Sequence, residues 1–109
     1  MADRITAIQL RDREAFLLAV METAREAHAL HERVESALQE EGETSDLREL
    51  EEETNRLRFR VDNLYEGLNG SGVQQGSLYP PTGEHRAEHR RLVRELGPLG
   101  ARVERALGG

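Results

Sequence analysis

The chain contains no cysteine, no tryptophan and no lysine. Without cysteine, neither a disulfide framework nor a thiolate metal centre can form, and the redox compartment is left open. Only 4% of residues are aromatic while 33% are charged. That balance suits long helices with narrow apolar stripes rather than a bulky aromatic core. No apolar run is long enough to cross a bilayer, so no membrane partner is expected. The N-terminus lacks the basic flank and apolar core of an export signal, and the expected setting is cytoplasmic. The formal net charge is -6 and every basic residue is arginine. Nucleic acid is not an expected partner, because phosphate neutralisation dominates such binding.

What the sequence does carry is apolar spacing in steps of three and four. Leu47, Leu50, Thr54, Leu57, Val61, Leu64 and Leu68 form one heptad seam. Leu17, Val20, Ala24, Ala27, His31, Val34 and Leu38 form another. A third reads His85, His89, Leu92, Leu96, Leu99, Val103 and Ala106. The expected fold is all-α: an antiparallel helical hairpin with a third helix packed on it, as one domain spanning 1–109. The helices are expected over about 4–41, 46–68 and 83–107, with a loop over 69–82. Asp46 with Glu49 supplies a capping pattern for the second helix. Pro98, between Gly97 and Gly100, predicts a kink or break near 97–100.

The connection around Gly42 is short, so the first two helices run antiparallel and positions summing to 84 or 85 face each other. The two polar seam residues, His31 and Thr54, then fall at one level as a register-setting pair. In the 69–82 segment, Tyr79, Pro80 and Pro81 are expected to brace an ordered loop that aims the third helix. "GLNGSG" lacks the lysine, the preceding strand and the following helix of a phosphate cradle.

Charge is distributed unevenly: Met1–Glu41 holds five arginines against nine acids, whereas Glu84–Arg105 holds six against four. Arg86, Arg90, Arg91 and Arg94 are therefore expected to pair with acids on the other helices. His85, Glu88 and His89 match H-x-x-E-H, in which two imidazoles on one helix face hold zinc and the glutamate activates water. This is the basis of an alternative function, a small metal-binding or metal-dependent hydrolytic protein. The pattern fixes three positions of five and needs a third ligand from elsewhere. The expectation is thus no enzyme, no catalytic residue, no metal and no cofactor.

"FLLAVM", Phe16–Met21, is apolar around the whole helix, and Phe59 points away from the seam. Phe16, Leu18, Met21 and Phe59 are the candidate partner-binding residues, with Phe16 and Leu18 also suited to packing on the third helix. The order "RDREAFLLAVMETAREAHALHERVESAL", then a helix ending "NLYEGLNGSG", then "PPT" and an Arg-rich helix, resembles the C-terminal helical tail of bacterial sortilin-like β-propeller proteins with BNR or Asp-box repeats. The resemblance implies a non-catalytic accessory module whose partner is a propeller domain or a second copy. The chain has no propeller blade and no Asp-box, so the family's hydrolase activity is not carried over.

Overall fold

The computed structural model describes residues 6–68 and 80–108. They form three helices: α1 (Ala7–Glu41), α2 (Ser45–Leu68) and α3 (Gly83–Ala106). The expected brace at Val73, Leu78 and Tyr79 lies outside the described residues, as does the Asn69–Gly70 turn. Of the two adjacent prolines, Pro80 is exposed and Pro81 half-buried.

Each helix start is fixed by a threonine hydroxyl. Thr6 Oγ1 accepts from the Gln9 amide while the Gln9 side chain accepts from the Thr6 amide, closing a capping box. Thr82 does the same with His85, whose Nδ1 accepts the Thr82 N–H at 3.0 Å. For α2 the capping residue is Thr44, which accepts from the Leu47 amide at 3.2 Å. This corrects the expected Asp46–Glu49 cap: Asp46 already lies inside the first turn, where its charge favours the helix dipole instead. Gly42 ends α1 with φ 86° and ψ 170°, a region open essentially to glycine alone.

The chain runs up, down and up. Arg13 near the start of α1 bonds the carbonyl of Leu68 at the end of α2, so these two helices are antiparallel. His89 meets Thr23 while Glu104 meets Arg33, which makes α3 parallel to α1. Arg60 meets Glu88 and Glu95, and Glu53 meets Arg102, so α3 is antiparallel to α2.

α1 has 35 residues against 24 for each of the others, and it carries two contact faces. One column of heptad positions, Arg13, Val20, Ala27 and Val34, is buried at the centre. A second, Phe16, Thr23, Leu30 and Ala37, is buried beside it, and there Phe16 and Thr23 meet α3. The third, Leu17, Ala24, His31 and Leu38, flanks the α2 side, where only His31 is fully buried. On α2 the buried set is Leu47, Leu50, Thr54, Leu57, Val61, Leu64 and Leu68. On α3, Leu92, Leu99 and Val103 are buried, whereas Ala106 is exposed.

The expected interruption of α3 does not occur as a break. The helix continues from Gly83 to Ala106 with Pro98 inside it. Proline removes one hydrogen bond, but Leu92, Leu99 and Val103 anchor both sides of that turn in the core.

Candidate functional site

Four histidines are spread along the bundle, and each has a partner. His31 Nδ1 lies 3.0 Å from Thr54 Oγ1, and its Nε2 lies 3.2 Å from Glu35 Oε1. The Thr54 hydroxyl also reaches the Leu50 carbonyl at 2.8 Å, one turn back. His28 Nε2 sits 2.9 and 3.0 Å from the two carboxylate oxygens of Asp62, joining α1 to α2 nearer the surface. Neither Asp62 nor this contact is signalled by the seam pattern, because both side chains sit at its flank.

His85 and His89 do not converge. His85 is spent on the cap of α3. His89 Nε2 lies 2.9 Å from Thr23 Oγ1, and its ring meets Phe16 edge-to-face at 5.4 Å. Burial pushes the His89 imidazole below the ordinary histidine range, partly offset by the Ala19 carbonyl. Glu88 accepts from Arg60 at 2.9 Å and stands 3.6 Å from Arg91. The three H-x-x-E-H side chains therefore serve a helix cap, an ion pair and an interhelical contact. Among the described residues, no three histidine or acidic side chains gather in a way that would hold a metal ion.

The candidate partner residues divide. Phe16 takes the expected packing on the third helix rather than the partner-binding role: it is 8% exposed, lies under the Arg86 guanidinium at 5.0 Å, and belongs to the α1–α3 contact. Its heptad column faces α3, which removes it from any outer surface. Leu18 goes the other way, since it is 64% exposed and does not pack on α3. Two positions from Phe16 is about 200° around a helix, so the two side chains cannot share a face. Met21 is exposed at the margin, and Phe59 is 62% exposed. Phe59 borders a shallow depression walled only by α2 residues, among them Glu52, Asn55 and Arg56, so it is separate from Leu18 and Met21.

No protein-family model, curated protein or solved structure matches this chain.

The ion pairs across the helices are not those expected of the arginine run. Arg60 of α2 grips Glu95 and Glu88, each at 2.9 Å. The bond to Glu95 leads in raising the already high arginine pKa, so this guanidinium stays charged. Arg102 reaches Glu53 at 2.6 Å, and Arg33 of α1 holds Glu104. In the run itself, Arg86 covers Phe16 and Arg91 reaches only Glu88 of its own helix. Arg90 and Arg94 have no carboxylate partner among the described residues. The reason is positional: α3 presents Glu88, Glu95 and Glu104 to the other helices and leaves much of its positive charge over.

Arg13, like the buried column Phe16, Thr23, Leu30 and Ala37, lies outside the α1 seam. It is only 8% exposed, and its Nη2 donates to the Leu68 carbonyl at 2.8 Å. A charged donor satisfies one of the carbonyls that a helix end leaves unpaired. The signal was present, since Arg13 stands seven residues before Val20 in the central column.

Proposed function

We propose that this chain is a non-catalytic helical interaction module that docks a protein partner through exposed apolar side chains. The observation that carries the proposal is Phe59, 62% exposed on the outer face of α2. Covering such a side chain contributes about 1.5–3 kcal/mol. Leu18 and Met21 offer a second apolar surface on α1. The resemblance to the accessory tail of sortilin-like propeller proteins supports the same role, with a propeller domain or a second copy as partner. The engagement of His85, Glu88 and His89 in capping and packing favours this role over metal-dependent hydrolysis.

Sedimentation velocity across a wide concentration range, for the wild type and for Phe59→Ser and Leu18→Ser, tests the proposal. Association with itself or with an added propeller domain, weakened by one of these substitutions, supports it. Association that both substitutions leave unchanged contradicts the assigned surfaces, and a wild type that stays monomeric and ignores the propeller contradicts the role.

A further inference from the structure

We infer that the groove between α2 and α3 is a binding site for a small phosphate-bearing anion, gripped between Arg56 and Arg94. The inference does not rest on the docking role: its chemistry is ionic, and only Arg56 also borders the depression beside Phe59.

The groove is open, has a volume of about 410 Å³, and is lined by Arg56 and Arg60 of α2 and by Arg94 and Arg102 of α3. Against these four guanidiniums it holds two carboxylates, Glu53 and Glu95. Glu88, which pairs with Arg60 from beside the groove, is a third carboxylate, so one positive charge remains over, within a chain whose net charge is -6. The groove lined by Asp46, Glu49, Arg102 and Arg105 is balanced, and two others are acidic. The one between α1 and α3 is lined by Glu22 and Glu26 with no base, and one near the end of α1 sets Glu32, Glu40 and Glu41 against Arg33 alone.

The excess charge can be located. Arg60 is occupied by Glu88 and Glu95, and Arg102 by Glu53. Arg56 and Arg94 have no carboxylate partner among the described residues, and both are exposed. They stand on opposite walls of the groove, one on each helix. Arginine presents a planar fork that grips two oxygens at once, the geometry suited to phosphate. A phosphate-bearing anion between two such forks would supply the carboxylate-like partner that both guanidiniums lack. The neighbouring pairs hold Arg60 and Arg102 in place, so both walls are already set before a ligand arrives. Pro98 adds exposed apolar surface to the same groove.

Titration with inorganic pyrophosphate, followed by NMR at ionic strength held constant with sodium chloride, tests the site. The expected result is saturable shifts confined to the groove walls, with a dissociation constant below about 1 mM. Arg56→Gln and Arg94→Gln should each weaken binding about tenfold or more, and Arg25→Gln on exposed α1 should not. Arg56→Lys and Arg94→Lys, which keep the charge and lose the fork, should fall between. Because both side chains are exposed, the variants should melt like the wild type. Equal weakening by Arg25→Gln, a response that does not saturate, or shifts scattered over all three helices would overturn the site.

Discussion

His31 Nδ1 stands 3.0 Å from Thr54 Oγ1 in the middle of the α1–α2 seam, with both side chains buried. The contact fixes more than local packing. A slip of one heptad would set the imidazole against Leu47 or Val61, apolar positions that offer no hydrogen bond. An unpaired polar group in that setting costs about 1–3 kcal/mol. The pair thus penalises the wrong registers that uniform leucine seams would tolerate.

Thr54→Val should therefore destabilise the bundle by about 1–3 kcal/mol, because it keeps the shape and strands the imidazole. Combining it with His31→Leu should recover much of the loss while relaxing register. Urea denaturation of the two single variants and the double variant gives the coupling energy. Simple additivity would mean that the contact contributes nothing.

Arg13→Met should cost about 1.5–3 kcal/mol, the range for a hydrogen bond from a charged donor. The apolar stem is preserved, so the loss falls on the capped Leu68 carbonyl. Hydrogen exchange should accelerate in the last turn of α2 before the rest of that helix. Uniform acceleration along all three helices would point to general destabilisation instead.

Glycine substitutions should divide by backbone angle. At Gly42, with φ 86° and ψ 170°, alanine should cost about 1–3 kcal/mol. At Gly97 and Gly100 an added Cβ meets nothing within 4 Å. Alanine at either position should stabilise α3 by about 0.5–1 kcal/mol. Thermal unfolding of the three variants distinguishes the two classes, and destabilisation at Gly97 or Gly100 would contradict the open space beside α3.

His89 should make stability depend on pH. Burial lowers its pKa in the folded chain, so the unfolded chain takes up the proton first as pH falls. The contribution is full above the unfolded histidine value of about 6.5 and is lost as pH falls through the lower folded value. His89→Gln should flatten this slope below the unfolded histidine value of about 6.5. Denaturation at several pH values measures it, and an unchanged slope would assign the effect to other groups.

How much of this was legible in the sequence differs by helix, for physical reasons. α2 faces its neighbours with one seam, and the spacing from Leu47 to Leu68 identifies every residue buried on it. α2 also meets both other helices, but α1 does so through a second buried column, so a single seam describes half of it. The column Phe16, Thr23, Leu30, Ala37 includes a threonine and an alanine and is quieter than the leucine-rich stripe. α3 is least legible, because its charged residues choose among partners on two helices and its first turn uses His85 as a cap. The H-x-x-E-H spacing placed His85 and His89 on one helix but carried no information on what stands opposite. Thr23, Phe16 and Arg60 supply that, and they come from distant parts of the chain.

The orientation of α3 carries the whole account, since it decides which helix His89, Glu88 and Arg102 each meet. Because the chain has no cysteine of its own, pairs of introduced cysteines can carry spin labels without background. With α3 parallel to α1, labels at Ser36→Cys and Arg105→Cys should lie within about 20 Å, and labels at Ser36→Cys and Glu84→Cys about 30 Å apart. The reverse order, with Glu84 near Ser36 and Arg105 remote, would contradict it.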